Sequence, residues 1–476
     1  MSTIHKEIHL EDEVCADLTA AGWLYDAGDA GRYDRLQALF VDDAVAWIKA
    51  SQPKAWEAIE KSHGAAAAKV VAERLRKALD SQGTLAVLRQ GFEMVGLKHA
   101  VAMCQFKPAL AMNADLQARY AANRLRVVRQ VHYSVHHENS IDLVLFVNGI
   151  PVATAELKSH YTQGVQDAVY QYKTDREPFF KPKNVAEPLL AFPGGALVHF
   201  AVSNAAAEMT TRLAGLDTTF LPFNQGNAGG AGNPPNPAGI ATDYLWKEVW
   251  QRDSFLQILG RYLVPVKNAK KQLVGWIFPR YHQLTVTRKL VAAVTLEGPG
   301  NKYLVQHSAG SGKTNSIAWT AHFLADLHDA KDQKVFDTVI VISDRTVLDD
   351  QLREAIMAFE RTQGVVAVIT GEGASKSKEL AEALAAGKKI VVCTIQTFPF
   401  ALEEVRKHTK ASSSCGSCTG LVEQLLMFTA GGDYSATPKT KPMCACTDHT
   451  HQEVRDAIKA QKLLSVPETM AHMLWR

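Results

Sequence analysis

Two carboxylates and a lysine lie at one end of a predicted β-hairpin. Apolar runs flank Asn148 and Gly149, a dipeptide typical of a two-residue hairpin turn. The first run begins with Asp142, and the second ends with Glu156 and Lys158, so the charges fall where a strand would bury them. Carboxylate oxygens bind Mg²⁺, and a nearby lysine can orient the nucleophile or stabilise a pentacoordinate phosphorus. The pattern predicts metal-dependent hydrolysis of a phosphodiester.

The register of this hairpin decides whether the carboxylates can meet. A strict two-residue turn would set Ala155, not Glu156, opposite Asp142. A one-residue bulge would correct the pairing, and Pro151, which has no N–H to give the ladder, is a suitable place for it. An aspartate on an exposed strand end is an equally good account of these residues alone, so both interpretations stay open. In the predicted helix that follows, Gln166 and Tyr170 are four residues apart and share one face beside the hairpin.

A second constellation is a glycine-rich loop between a predicted apolar strand and a predicted helix. Its residues are Gly310, Ser311, Gly312, Lys313 and Thr314. They match the end of a P-loop, in which backbone N–H groups cradle phosphates, Lys313 reaches the β/γ oxygens and Thr314 offers its hydroxyl to Mg²⁺. His307 stands where the general pattern has glycine. With strand, helix and Gly-Lys-Thr all present, nucleotide binding is favoured strongly over a chance glycine turn.

Polar residues near this loop are candidates for reading nucleotide and DNA. Gln283 precedes the loop at a position where many helicases use a glutamine to read adenine. A buried strand at 339–342 ends in Asp344 and Arg345, and another ends in the polar stretch 394–397. Strand C-termini line the ligand crevice of an open parallel sheet, although ordinary loop polarity explains each residue equally well.

The elements that must position these residues change along the chain. From about Glu11 to Met103, apolar residues recur at helical spacing, and a β-rich segment with the hairpin follows. A strand is predicted at 197–202, and the Gly-, Asn- and Pro-rich stretch 221–239 is predicted to be a loop. A helical segment comes next, and from Tyr303 the order of strand, glycine loop, helix and strand indicates an α/β architecture.

The composition predicts a soluble cytoplasmic protein of several domains. The chain has 476 residues, of which 47% are hydrophobic and 21% charged, and a formal net charge of +3, which excludes a global basic field. We expect neither a signal peptide nor a transmembrane helix, since no apolar run reaches the ~18 residues that span a bilayer. Seven cysteines in this length favour a reducing compartment.

Several separate blocks carry a family resemblance that extends from near the N-terminus to about Arg406. They read "NRLRVVRQVHYSVHHENSIDLVLFVNGIPVATAELK", "DAVYQYKTDREP", "TTRLAGLDTTFLPFNQGN", "IFPRYHQ" and "QHSAGSGKTNSIAW". The chain resembles the restriction (R) subunit of type I restriction-modification enzymes. This resemblance implies an α/β fold, with a PD-(D/E)xK-type nuclease domain at 1–240 and a RecA-like P-loop motor lobe at 241–406. It also implies an endonuclease coupled to ATP-dependent DNA translocation.

The resemblance assigns roles to single residues. Asp142, Glu156 and Lys158 match the nuclease motif, and Gln166 and Tyr170 resemble its Gln-x-x-x-Tyr element. Residues 310–314 match motor motif I, and "VIVISDRTVLDDQL" and "VVCTIQTF" resemble motifs Ia and Ib. The implied cofactors are Mg²⁺, held by the two carboxylates and by the P-loop threonine, and ATP. The implied partners are double-stranded DNA and the methyltransferase and specificity subunits.

The stretch 407–476 departs from the family. A motor of this class needs Asp-Glu-x-His after its third strand, whereas Asp-Glu occurs here only at Asp12-Glu13. We therefore expect a truncated or frame-disrupted product with doubtful ATP turnover, and the alternative is a non-catalytic fragment that docks on the methyltransferase core or on DNA. Four cysteines at 415, 418, 444 and 446 could form a zinc site, but irregular spacing favours shifted or disordered sequence.

Overall fold

The computed structural model describes residues 3–108, 112–159, 164–343, 346–359, 364–370, 375–394, 397, 451–461 and 468. The chain divides into two compact units. The first comprises Met1–Phe336 with Glu354–Arg361, and the second comprises Asp337–Arg353 with Thr362–Arg476. Division at residues 240 and 406 stays a prediction.

Helices build the N-terminal part of the first unit, as the spacing of apolar residues predicts. They are α1 (Thr3–Ala20), α2 (Val41–Ser51), α3 (Pro53–His63), α4 (Ala67–Gln82), α5 (Thr84–Gln90) and α6 (Ala114–Ala122). Helix α4 illustrates the reason, because Val71, Leu75 and Leu79 lie on one face and are all buried. The prediction of a helical segment here is confirmed.

A six-stranded mixed sheet follows these helices. Its strands are β1 (Leu125–His132), β2 (Ser140–Val147), β3 (Ile150–Lys158), β6 (Val198–Ser203), β7 (Ala207–Thr210) and β8 (Leu221–Pro222), in that spatial order. Between β3 and β6 the chain forms α7 (Val165–Thr174) and a small hairpin of β4 (Phe179–Phe180) and β5 (Val185–Ala186). Strands β3 and β6 are parallel, which requires such a crossover, and the other pairs are antiparallel.

The predicted hairpin is β2–β3, and its tip is buried. Asn148 and Gly149 both have positive φ, 50° and 80°, as a two-residue turn of this kind requires. A Cβ at Gly149 would lie 2.4 Å from the carbonyl oxygen of Phe40, so only glycine fits. The pairing shifts by one residue between Leu145/Ala153 and Phe146/Pro151. The predicted bulge beside the proline is therefore confirmed.

The first unit continues with short elements around the phosphate loop. They are two π-helical segments (Leu245–Val249 and Ile258–Tyr262), α8 (Arg252–Gln257), β9 (Val264–Lys267), β10 (Leu273–Ile277), α9 (Tyr281–Glu297) and α10 (Lys313–Ala325). The predicted helical segment at 244–263 is confirmed. The strand predicted before the phosphate loop is wrong, since residues 301–308 form no ladder within the described part of the chain. Leu304 there is 94% exposed, which shows that apolar character alone does not make a strand without a neighbour to pair with.

The second unit contains a three-stranded parallel sheet with helices. Its strands are β11 (Val339–Ser343), β12 (Val366–Val368) and β13 (Ile390–Thr394), with β13 in the centre. Two helices belong to this unit, α12 (Lys376–Ala385) and α13 (His451–Gln461). Helix α11 (Thr346–Ala358) begins in this unit, and its residues from Glu354 onward are assigned to the first unit. Leu380 packs with Val391 and Cys393 in the core. The two predicted parallel strands are thus confirmed.

Candidate nuclease site and phosphate loop

The bulge on β3 brings the two predicted carboxylates together. Leu143 pairs with Ala155, so the same register places Asp142 opposite Glu156. Side chains that face each other across two strands share a face, and here that face also carries Thr154, which bonds to Tyr172 of α7. Burial raises the pKa of Glu156, and the Asp142 charge adds to this rise, as expected for neighbouring like charges.

Glu156 is a buried carboxylate with one satisfied oxygen. Its side chain is fully buried, and its Oε1 accepts a hydrogen bond of 2.6 Å from Nε of Arg176. Its Oε2 is buried and has no hydrogen-bond partner. Burial first, and Asp142 second, raise the pKa of Glu156 well above its usual range, while Arg176 and Lys158 oppose this rise. A cation beside Oε2 would satisfy the free oxygen and favour the ionised carboxylate.

Asp142 is held from two sides. Its Oδ2 accepts 2.7 Å from the backbone N–H of Leu157, and its Oδ1 accepts 3.3 Å from Nε2 of Gln130. The same amide nitrogen donates to Glu11 of α1 at 2.9 Å. Gln130 has a left-handed backbone (φ 49°) inside β1, a conformation that costs about 1–3 kcal/mol in a non-glycine residue. The neighbouring strand and α1 therefore orient Asp142.

The other predicted nuclease residues separate into two groups. Lys158 lies two residues beyond Glu156 on the same face of β3 and is 9% exposed. Gln166 and Tyr170 lie on α7, but Gln166 donates to Glu208 of β7 at 2.7 Å, and Tyr170 is 66% exposed. The structure thus places Lys158 with the carboxylates, whereas Gln166 is bonded two strands further along. Their catalytic roles stay predictions.

A buried polar chain lies beneath α7. Thr154 Oγ1 is 2.7 Å from the Tyr172 hydroxyl and 2.8 Å from Nδ1 of His199 on β6. Burial lowers the pKa of His199 to about 3 and raises that of Tyr172 well above its usual range. Both side chains are therefore neutral at pH 7 and fix the packing of α7 over β3.

The donor set fits a hard divalent cation. Two carboxylates from adjacent strands converge, and one buried oxygen of Glu156 has no hydrogen-bond partner. Mg²⁺ is commonly bound through one or two carboxylates with water completing its shell. Among the residues that the structure describes, no group of three or more His, Cys, Asp or Glu side chains could hold a metal. Any ion here would therefore rely on the two carboxylates, backbone oxygens and water.

The phosphate loop has the predicted conformation at its glycines. Gly310 and Gly312 have φ values of 73° and 79°, and α10 begins directly at Lys313, so the helix N-terminus faces the loop. Lys313 is exposed, and its Nζ donates to the carbonyls of Ser308 (2.9 Å) and His307 (3.3 Å). The lysine thus bonds to its own loop, and phosphate oxygens could replace these carbonyls.

Gln283 lies against the loop. Its Nε2 donates to the carbonyl of Gly312 at 2.9 Å, and its Oε1 accepts from the N–H of Arg280, where α9 begins. His282 is 2.9 Å from the carbonyl of Ser311. Gln283 therefore supports the loop in this structure, and its reading of adenine stays a prediction.

A cavity of about 230 Å³ opens beside the loop. Its walls come from the end of the nuclease sheet, from β10 and from the loop itself. Lining residues include Thr210, Leu221, Trp276, Phe278, Gly310 and Asn315. An apolar, aromatic wall next to phosphate-binding backbone is the kind of site that holds a flat base.

Three arginines on or next to β1 are held in ion pairs, and some residues singled out in the sequence lie outside the described residues. Arg124, Arg126 and Arg129 pair with Asp43, Asp29 and Glu11. Arg126 is also buried. Residues 344–345 and 395–396 and the four cysteines of the C-terminal stretch lie outside the described residues.

Two functional contacts were missed in the sequence. Arg176 is 20 residues from Glu156, and Gln130 is 12 residues from Asp142. No local spacing links either pair, because a crossover helix and a strand pairing bring them together. A left-handed glutamine in a strand also leaves no mark in the sequence.

Two family models match parts of this chain. Residues 6–218 match the family model for the type I restriction enzyme R protein N terminus, and residues 282–453 match the model for the SWI2/SNF2 ATPase. The first region contains both carboxylates and Lys158, and the second contains the phosphate loop.

Two curated proteins of Bacillus subtilis (strain 168) are similar over a short segment. Nitrite reductase [NAD(P)H] is 38% identical over 74 residues, which is 16% of this chain and 9% of that protein. The assimilatory nitrate reductase electron transfer subunit is 33% identical over 75 residues, or 16% and 10%. The chain spans about a tenth of the length of these relatives. We therefore infer no activity of this chain from this similarity. Within the described residues, no helix is long and apolar enough to cross a membrane.

Proposed function

Since the chain is an R subunit of the type I restriction enzyme family, we propose that its N-terminal region is a Mg²⁺-dependent DNA endonuclease. One observation carries this proposal: Asp142 and Glu156 meet on one sheet face, and Oε2 of Glu156 is buried with no hydrogen-bond partner. We therefore propose a type I site-specific deoxyribonuclease in which Lys158 lies beside the metal site.

The residues of the site have distinct tasks in the proposed reaction. Asp142 and Glu156 would hold the cation, which when bound would activate water and neutralise charge on the phosphate. Lys158, on the same face, would orient the attacking water or stabilise the pentacoordinate phosphorus. Tyr172 and His199 are buried and both bond to Thr154, so they hold α7 against β3 beside the carboxylates.

The experiment is a plasmid-nicking assay on the purified full chain at low salt, with Mg²⁺ or EDTA. We expect weak, non-specific nicking that requires Mg²⁺ and that falls at least ~100-fold in Asp142→Ala, since two-metal and one-metal nucleases depend on their carboxylates. Persistent nicking by Asp142→Ala would show that the hairpin is not the active site. No nicking by the wild-type chain under any condition would favour the alternative, a non-catalytic subunit that docks on the methyltransferase core or DNA.

We also propose that the P-loop region is a RecA-like lobe that binds ATP with Mg²⁺. The glycine conformations, the helix start at Lys313 and the adjacent aromatic cavity support this proposal. Lys313 would contact the β/γ-phosphates, Thr314 would hold Mg²⁺, and the base would enter the cavity near Gln283. Double-stranded DNA and the methyltransferase and specificity subunits are the proposed partners, and DNA translocation is the proposed role of ATP.

A further inference from the structure

Arg176 is a buried charge that no predicted motif includes. It follows the end of α7 by two residues and is 7% exposed. Its Nε donates to Oε1 of Glu156 at 2.6 Å. A buried arginine on a proposed metal ligand either serves the fold alone or also fixes the ligand for the metal.

We propose that Arg176 is a positioning residue of the nuclease site, which holds one oxygen of Glu156 and so directs the other oxygen toward the cation. The inference rests on the proposed nuclease function. Two contacts on Asp142, from Leu157 N–H and from Gln130, have the same consequence on the opposite strand. Each carboxylate is thus oriented by a group outside the predicted motif, Glu156 by Arg176 and Asp142 by Gln130. Side chains that bond to metal ligands commonly fix the orientation of those ligands in this way.

The two carboxylate oxygens of Glu156 differ in their hydrogen bonding. A buried acceptor without a partner costs about 1–3 kcal/mol, and more when it is charged. Glu156 Oε2 is such an acceptor in the described structure, while Oε1 accepts from Arg176. A purely structural ion pair would gain by satisfying both oxygens. The geometry instead leaves one oxygen for a further ligand.

A second ion pair in the same unit shows what a purely structural pair looks like. Arg126 is also 7% exposed, and its Nε lies 2.6 Å from Oδ2 of Asp43. Its second nitrogen donates to Oδ1 at 3.0 Å, and Arg124 donates to the same oxygen at 2.8 Å. Both oxygens of Asp43 are therefore satisfied. The two arginines match in burial and in the length of the Nε bond, and Arg126 in addition donates to Oδ2 of Asp29 at 2.6 Å. The carboxylates differ, because only Glu156 keeps an oxygen without a hydrogen-bond partner.

The test measures metal binding without turnover. Mn²⁺ is titrated into the full chain in the absence of DNA, and free Mn²⁺ is followed by electron paramagnetic resonance. The wild-type chain is compared with Asp142→Ala, with Arg176→Lys and with the matched control Arg126→Lys. Near-UV circular dichroism checks that each variant is folded, and Arg176→Gln replaces the lysine variant if that one is not.

We expect Arg176→Lys to raise the Mn²⁺ Kd roughly 10- to 100-fold, the usual effect of losing an outer-shell partner. Arg126→Lys should lower thermal stability at least as much as Arg176→Lys, since Arg126 bonds two aspartates, but keep the Kd within about 3-fold, since no metal is proposed at Asp43. Wild-type Kd in a folded Arg176 variant, or equal weakening by Arg126→Lys, would overturn the positioning role.

Failure of the underlying site gives a different result. If Asp142→Ala binds Mn²⁺ as tightly as the wild-type chain, the ion is not at the hairpin, and the nuclease site falls together with this inference. If Asp142→Ala loses binding and Arg176→Lys does not, the nuclease site stands and only the role of Arg176 is refuted.

Discussion

The charged residues of the candidate nuclease hairpin and of the phosphate loop differ in burial and in how far along the chain their hydrogen-bond partners lie. Glu156 is fully buried and takes its hydrogen bond from a residue 20 positions away, whereas exposed Lys313 bonds to carbonyls five and six positions away. Lys158 is 9% exposed on a central strand. Remote packing thus defines the first site, and local chain geometry defines much of the second. The phosphate loop can therefore be predicted from a short sequence motif. The candidate nuclease site cannot, because it depends on a bulge in β3 and on the crossover through α7.

The largest effects are expected when each lysine is replaced by alanine and each variant is measured in both assays, which tests whether the two sites act independently. Lys158→Ala should lower Mg²⁺-dependent nicking by about 100-fold, within the range of a lost catalytic side chain, and leave ATP–Mg²⁺ binding within about 2-fold. Lys313→Ala should raise the ATP Kd by roughly 10- to 100-fold, because a charge-assisted hydrogen bond to phosphate is lost, and leave nicking unchanged. Both variants are measured by plasmid nicking and by isothermal titration calorimetry. A loss of nicking in Lys313→Ala would show that the two sites are coupled.

Gly149 and Gly310 both have positive φ, but only Gly149 lies in crowded surroundings. Replacing each with alanine compares the effect of the same backbone strain in a buried turn and in an open loop. Gly149→Ala should lower the free energy of unfolding by about 3 kcal/mol, since left-handed strain adds to overpacking against Phe40. Gly310→Ala meets no atom within 4 Å and should cost only about 1–2 kcal/mol of strain. Urea unfolding followed by tryptophan fluorescence measures both. Equal losses would mean that the hairpin tip relaxes away from α2.

A remaining effect, which develops only as the pH falls, concerns the buried histidine beneath α7. Burial lowers the pKa of His199 to about 3 in the folded chain, so the unfolded chain binds a proton first as the pH falls. The stability linked to His199 is therefore complete above about pH 6.5 and declines between pH 6.5 and 3, by at most about 1.4 kcal/mol per pH unit.

Urea unfolding at several pH values measures this slope. His199→Asn should flatten it, and His99→Asn, at an exposed histidine, is the control that should keep the wild-type slope. An unchanged slope in His199→Asn would assign the pH dependence to other groups.

The sequence alone determined features that depend on neighbouring residues. Asn148 and Gly149 specified the turn because few other residues adopt positive φ at both positions. Pro151 marked the bulge because it lacks an N–H, and the phosphate loop followed from the spacing of its glycines and lysine. Periodicity likewise predicted the N-terminal helices and the parallel strands.

Only the tertiary structure decided which groups complete the site. Arg176 reaches Glu156 because α7 crosses the sheet, and Gln130 reaches Asp142 because β1 pairs with β2. The sequence also predicted a short strand from Tyr303 to the phosphate loop, but a strand forms only where a neighbouring strand has unpaired backbone groups. Such contacts depend on the packing of distant elements, and burial then sets which charges are paired and which oxygen of Glu156 is left for a ligand.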